Sequence, residues 1–264
     1  MAEKPRRVAI VGDTHINKLM ALLAPGLAVD DKSEFARARG WLWARWLEYI
    51  AEFTRLGKGC KKVVVLAGDI GEFDAKQYTN QLVSHDKREI KEMASKTLSP
   101  LLDVADEVHV VGGTGAHSGI GCEFERWLAD DIGAQFHWLM LAEFAGVLVD
   151  IAHYTSAGRT EWTRGNAANK LAAQTIMRYS RSGDRVPQFV FRQHVHHYQD
   201  SYDNYGVCRA VIGPCWTFHD EHESGLDLMN SLPDIGGLIL NCKNGKGELT
   251  AWRREPKRQA ILKI

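Results

Sequence analysis

The sequence predicts an α/β protein whose first half alternates strands with helices and whose second half is rich in strands. Three observations carry this expectation. Short, largely β-branched runs, Val8–Val11, Val63–Leu66 and Val108–Val111, are separated by segments of helical period, and such runs read as the buried strands of an open sheet. Glycine and a polar or acidic residue stand just past the carboxyl end of each run, as in Gly12-Asp13, Gly68-Asp69 and Gly112-Gly113-Thr114-Gly115, which is where open α/β sheets place ligands. After residue 146 the strand-like runs crowd together, and Asn244-Gly245 gives a hairpin signal between two of them.

Taken in order, strand Arg7–Val11 leads into a loop of about fifteen to twenty residues, longer than most connections. The apolar stretch Leu19 to Leu23 within it is either a short packed turn, the first reading, or an apolar lip beside the site. Asp31 or Ser33 can cap the next helix, where Phe35, Leu42, Trp46, Ile50 and Phe53 recur at helical spacing. Gly57 is its expected stop. Trp41, Trp43 and Trp46 are read as helix packing on a sheet and not as a base-stacking platform. Strand Lys62–Ala67 follows, then a helix from about Asp86 to Leu98 that Pro100 bends or ends. Strand Glu107–Val111 opens into the glycine-rich turn, whose backbone can approach a ligand closely. Phe124, Trp127 and Leu128 mark a short amphipathic helix. Strand Val147–Ala152 ends at His153. Asn166 to Tyr179 reads as helix with Leu171, Ile176 and Met177 inward. Strands Gln188–Arg192, Cys208–Ile212, Gly237–Asn241 and Leu249–Arg253 complete the chain, with a basic tail from Arg253 to Lys263 as a closing strand or a solvated end. No repeat or composition break divides the sequence, so residues 1–264 are read as a single domain.

Lys plus Arg and Asp plus Glu are both 33, so the formal net charge is zero. A dedicated nucleic-acid binder shows a basic excess. The five cysteines, Cys60, Cys122, Cys208, Cys215 and Cys242, form no C-x-x-C pair. This argues against a disulfide framework or a zinc knuckle and for a reducing compartment. The N-terminal apolar run stops at Val11, too short for a signal peptide, and Leu19–Val29 is broken by Pro25-Gly26, too short to span a bilayer. The expectation is a soluble cytoplasmic protein without a membrane partner.

The chemistry-bearing residues are Asp13 and His15, Asp69, His117, His153, and His194 with His196. Asp13 and His15 stand two apart and can reach one cation past the strand end. Asp69, from a neighbouring strand end, can bridge two cations through its two oxygens. In an H-x-H pair each imidazole can serve a different metal. Carboxylate with neutral imidazole suits Mn²⁺, Zn²⁺, Fe or Ni²⁺ better than Ca²⁺, and a pair of such ions can clamp a phosphoryl group. His85, His109, His137, His197, His219 and His222 fall outside the pattern and read as ordinary surface or core histidines.

In sequence these clusters read D-x-H, G-D, G-x-H, H and H-x-H, an order that resembles the calcineurin-like metallophosphoesterase superfamily, which includes purple acid phosphatases and class III cyclic-nucleotide phosphodiesterases. The resemblance spans Asp13 to His196. It implies a four-layer αββα sandwich of two mixed β-sheets flanked by helices. It also implies two divalent metal ions, Mn²⁺ first among them. Asp13, His15 and His196 would hold the first ion, Asp69 would bridge, and His153 and His194 would hold the second. His117 would contact the phosphoryl group and protonate the leaving oxygen.

Three positions depart from the family pattern G-N-H-D/E and G-H-x-H. Ala116 replaces the Asn that ligates the second metal, Ser118 replaces the acid expected to orient the catalytic histidine, and Gln193 replaces a glycine. Thr114 and Glu123 are candidate substitute ligands. Glu123 also suits the first turn of a helix.

The expected function is hydrolysis of a phosphodiester in nucleic acid or a nucleotide, by attack of a metal-bridging hydroxide. A phosphomonoesterase is the alternative, and a catalytically impaired metal-binding scaffold is a third reading. Tyr198, Tyr202, Tyr205 and Trp216 follow the H-x-H and can stack on a base, although sheet packing takes the larger share of that expectation.

Overall fold

A computed structural model describes residues 3–28, 33–55, 59–73, 81–155, 163, 165–219 and 232–256. In chain order the elements begin with β1 (Arg6–Val11), α1 (Glu34–Arg55), β2 (Lys61–Ala67), α2 (Lys87–Leu102), β3 (Glu107–Val111), α3 (Gly115–Ser118), α4 (Glu123–Asp131) and β4 (Gln135–His137). They continue with β5 (Met140–Phe144), β6 (Val147–Ile151), α5 (Gly165–Ser182), β7 (Phe189–Arg192), β8 (Gln199–Asp200), β9 (Arg209–Ile212), β10 (Ile235–Lys243) and β11 (Lys246–Arg254).

The strands form two mixed sheets, one ordered β11-β10-β1-β2-β3-β4 and the other β5-β6-β7-β9-β8. In the first, β1 to β4 run parallel while β10 and β11 are antiparallel additions. In the second, β6, β7 and β9 run parallel between antiparallel edges. Alternation along the strands sorts the core into three sets. Val8, Ile10, Val63, Val65 and Val111 of the first sheet meet Val147, Val149, Ile151, Phe189, Phe191 and Val211 of the second. Ala9, Val11, Val64, Leu66 and Val110 face the other way, onto Leu42, Trp46 and Phe53 of α1, Leu98 of α2 and Phe124 of α4. Ala172 of α5 packs on Val190 and Ala210, on the outer face of the second sheet. Helix, sheet, sheet and helix therefore make the four expected layers.

Several local expectations are sharpened. Ser33 Oγ accepts from Ala36 N at 3.1 Å and caps α1. Asp31 and Gly57 lie outside the described residues, as do His222 and the tail beyond residue 256. On α1, Phe35 is 40% exposed and Tyr49 is buried in its stead, with Tyr49 Oη donating to Leu238 O at 3.0 Å. Pro100 does not end α2. The carbonyl of Lys96, which a proline at that position cannot pair, accepts from Ser99 Oγ at 3.1 Å, and the helix runs one turn further. On α5 the buried face is Ala168, Ala172 and Thr175, while Met177, expected inward, is 52% exposed. Asn244 and Gly245 both adopt positive φ, 51° and 74°, as a two-residue turn joining β10 to β11 requires. Ala21, Leu22 and Leu23 are buried, so the loop after β1 is packed. No helix among the described residues is long and apolar enough to cross a membrane.

Candidate metal centre

The carboxyl ends of β1, β2 and β3 from one sheet and of β6 and β7 from the other meet at one edge of the sandwich. There the chain leaves regular structure under tight backbone constraint. Asp13 N donates to Gly68 O at 3.0 Å and His15 N to Asp69 O at 3.1 Å, which sews the loop after β1 to the loop after β2. Asp13, His15, Asp69, His194 and His196 all adopt positive φ, between 43° and 82°. Left-handed backbone is disfavoured for these residue types. It persists at functional sites where the surrounding structure over-determines it.

The side chains converge in three linked groups: Asp13 with His15 and His196, His15 with Asp69 and His117, and Asp69 with His153 and His194, each group offering ligand atoms within 4.8 Å of one another. Asp13 Oδ1 faces three imidazole nitrogens, His196 Nε2 at 3.4 Å, His15 Nε2 at 3.6 Å and His153 Nε2 at 3.8 Å. Asp69 Oδ2 lies 2.9 Å from His153 Nε2. Asp13 Oδ1 is buried and, among the described residues, makes no well-aligned hydrogen bond. Buried polar atoms are nearly always partnered, so this atom and the carboxylate–imidazole donor set fit divalent cations.

The far side of each ring is spoken for. His153 Nδ1 lies 2.9 Å from Ala67 O, His15 Nδ1 2.9 Å from Glu72 Oε2, and His117 Nδ1 2.8 Å from the same Glu72 oxygen. An Nδ1–H on these acceptors leaves Nε2 free to face the cluster, the arrangement that orients metal-binding imidazoles. Asp69 is held similarly: Thr114 N donates to Oδ1 at 2.6 Å and Thr114 Oγ1 lies 3.1 Å from both oxygens.

Charge in the cluster is arranged as internal ion pairs. Burial alone would raise the Asp69 and Asp13 pKa values, but the facing histidines, His153 foremost, hold both below the usual carboxylate range. Burial likewise favours neutral His153, yet Asp69 and Asp13 carry it up to about 10. Burial and the Lys18 charge oppose protonation of His15, and the Asp13 and Glu72 hydrogen bonds still raise it to about 9. Glu72, despite its burial, is drawn down to about 2 by His117 and His15. Burial, with the His153 charge beside it, keeps His194 below the ordinary imidazole value.

Glu72 was not singled out in the sequence, and it corrects one reading of it. The acid lost at Ser118 is not missing from the site, because Glu72, three residues after Asp69, holds His117 instead. Ser118 turns to Glu125, donating to Oε1 at 2.6 Å, and lies 3.4 Å from Asp69 Oδ1. Of the two substitute ligands considered, Thr114 touches the Asp69 carboxylate. Glu123 does not reach the cluster; its carboxylate pairs on the surface with Lys87 Nζ at 2.6 Å and 2.8 Å. Gln193, in place of a glycine, is buried where Gly12 and Gly213 make room, since a Cβ on Gly213 would stand 2.4 Å from Gln193 Oε1. Gly113 is also sterically required, because a Cβ there would lie 2.3 Å from both Asp69 N and Asp69 Oδ1.

Of the four aromatic residues after His196, Tyr198 and Trp216 are taken up by pairing and packing, while Tyr202 and Tyr205 are 59% and 37% exposed. Trp216 is fully buried, edge-on to Trp46 at 4.9 Å, and Tyr198 donates its hydroxyl to Asp200 at 2.5 Å with Arg253 over its ring. Tyr202 has Arg209 over its ring. Among the leftover histidines, His109 pairs with Glu107 at 2.8 Å, away from the cluster.

No family model matches the chain, and no curated protein matches it. Solved structures do align with it. A Streptococcus pneumoniae protein described as a predicted phosphoesterase aligns over 96% of this chain and 100% of its own, at 8% identity and a TM-score of 0.38. Vps29 from Entamoeba histolytica, complexed with Zn²⁺, aligns over 94% of this chain and 98% of its own, at 12% identity and a TM-score of 0.40. The sulfate thiohydrolase SoxB of Thermus thermophilus aligns over 92% of this chain and 56% of its own, at 11% identity and a TM-score of 0.42. Likenesses of this extent leave the assignment of chemistry to the chain's own residues, which in their order and convergence resemble the calcineurin-like metallophosphoesterases.

Proposed function

We propose that this chain is a dinuclear metal-dependent phosphoesterase, and within that class a phosphodiesterase acting on a nucleotide or nucleic acid. The observation that carries the reading is the chain of three linked ligand groups, in which His15 and Asp69 are each shared between two groups. Shared ligands are what place two cations close enough to act on one phosphoryl group. Asp13, His15 and His196 would hold one ion, His153 and His194 the other, with Asp69 between them. Mn²⁺ is the first choice for this donor set, with Zn²⁺, Fe and Ni²⁺ as alternatives. Such ions, when bound, supply positive charge against phosphate and make water a better nucleophile at neutral pH.

The chain's own residues supply the rest. His117, with Nδ1 on Glu72, presents Nε2 as the proton donor to the departing oxygen. Glu72 fixes that orientation and steadies the positive charge while the proton is held. Thr114 fixes Asp69 so that its Oδ2 faces the imidazoles. The five cysteines form no disulfide, in keeping with a reducing cytoplasm.

The test crosses Mn²⁺, Zn²⁺, Ni²⁺ and Mg²⁺ with an aryl phosphomonoester, an aryl phosphodiester, cyclic nucleotides and single- and double-stranded DNA. Metal-dependent turnover of the diesters above the monoester supports the proposal. Preference for the monoester would make the protein a phosphatase. Two bound ions without turnover of any substrate would identify a metal-binding scaffold.

A further inference from the structure

Asp13, His15, Asp69, His153 and His196 are buried, whereas His194 and His117 are half-buried. The cluster is therefore open at His194 as well as at His117. The next residue after His153 is Tyr154, whose ring lies over His194 with centroids 4.9 Å apart and planes 34° from parallel. Tyr154 is 67% exposed. Solitary exposed aromatics are ordinary on protein surfaces. This one differs in its place: one part of the ring lies against a candidate ligand, and most of it faces solvent at the open side of the cluster.

The backbone fixes that place. His153 is locked by its Nδ1 on Ala67 O and by its carbonyl accepting from Gln193 N at 2.9 Å. Tyr154 therefore starts from a fixed backbone position, and its ring is held against His194. A tyrosine ring offers a flat, amphipathic face at low entropic cost. A phosphodiester bound at the cluster with its leaving oxygen at His117 has a second ester substituent, which would run outward past His194.

We infer that Tyr154 is a specificity-determining residue that stacks on a planar aromatic substituent of the phosphate ester, a nucleobase in the reading above, on which this inference rests. It separates the cost of binding the phosphate, borne by the cluster, from selection of what the phosphate carries.

The experiment measures binding of 5′-AMP and ribose 5-phosphate to the Mn²⁺-loaded full chain by calorimetry. The two ligands share phosphate and sugar and differ in the base. The wild type should bind 5′-AMP more tightly by about tenfold, within the range a base–aromatic stack contributes. Tyr154→Phe should keep that ratio and Tyr154→Leu should lose it, with ribose 5-phosphate affinity and metal content unchanged in both. Equal affinity for the two ligands in the wild type, or an undiminished ratio in Tyr154→Leu, overturns the inference and leaves the phosphoesterase reading intact. Failure of both phosphates to bind overturns the phosphoesterase reading itself.

Discussion

The two halves of the cluster are built differently. On the Asp13–His15–His196 side every ligand candidate is buried, and the ring of His15 is held by a carboxylate, Glu72. On the Asp69–His153–His194 side the ring of His153 is held by a neutral carbonyl, Ala67 O, and His194 is half-buried under Tyr154. A carboxylate behind an imidazole raises its basicity more than a carbonyl does. In the resemblance read from the sequence the first side keeps its three ligand positions, whereas the second has Ala116 where an amide oxygen would stand. On the proposed reading the difference would separate two tasks: a closed side to hold an ion and orient His117 through the same Glu72, and a more open side to admit substrate.

The residue that joins the halves should show the largest effect. Asp69→Asn replaces a carboxylate shared between two groups by an amide that carries no charge. Turnover should fall by more than the ~10²–10³-fold that loss of one preorganised electrostatic group costs. Total bound metal should fall with it. Near-normal rate and metal content in the purified variant would remove Asp69 from the bridge and dissolve the comparison.

Glu72→Gln tests the closed side. It touches both His15 and His117, so two readouts should move together. Metal affinity at the tighter site should fall by about 10–100-fold, the usual cost of altering a group behind a ligand. Turnover should fall most for alkyl and nucleotide esters and least for an activated aryl ester, because His117 would lose the group that orients it as proton donor. Equal losses across a leaving-group series, with unchanged metal affinity, would show that Glu72 is structural only.

The sequence made one half of this more legible than the other. The early ligand candidates announced themselves because each cluster follows a short β-branched run that reads as a buried strand, and because the whole set recurs in one order along the chain. Glu72 had no such signal. It is a glutamate in a loop, and only its spacing from Asp69 could have pointed to it. Tyr154 was hidden by adjacency to His153, since period and composition say nothing about a single exposed ring. Short edge strands were missed for a related reason. β4 and β8 have three and two residues, too few to show alternation, and β5 alternates buried and exposed positions only across five. Burial on α5 followed small residues, Ala168, Ala172 and Thr175, because the helix packs close to the sheet, while Met177 was left outside.

Proton release sharpens the comparison further. With metal removed, His15 and His153 keep their protons up to about 9 and about 10, on Asp13, Glu72 and Asp69. Imidazolium then stands where the cation would. Raised folded pKa values stabilise the protein fully below the unfolded value near 6.5 and cease to do so as pH rises through 9 to 10. Chelated protein should therefore lose melting temperature between pH 7 and pH 10, and metal-loaded protein should not. Metal affinity should rise with pH by up to about tenfold per unit for each proton displaced. Calorimetry in two buffers of different protonation enthalpy counts those protons. No proton release at pH 7 would mean that the histidines are already neutral.

The smallest expected effect lies behind the open side. Glu125 is fully buried, accepts on Oε1 from Ser118 Oγ at 2.6 Å and from Ile70 N at 3.2 Å, and leaves Oε2 without a partner. Burial, reinforced by the charge of Asp69, raises its pKa to about 7. The sign is opposite to that of the paired carboxylates. The unfolded chain ionises near 4.5 while the folded one holds its proton, so stability falls as pH rises from there to about 7 and then levels off. Glu125→Gln keeps the acceptor for Ser118 and Ile70 and removes the ionisation. In chelated protein the variant should match the wild type near pH 4 and exceed it at pH 8, by on the order of 1–3 kcal/mol. Denaturant melts at the two pH values measure the difference. A variant less stable than the wild type at pH 8 would show that the charged form of Glu125 is satisfied in the fold, and that the open side is held by a charge network reaching from Asp69 through Ser118 to α4.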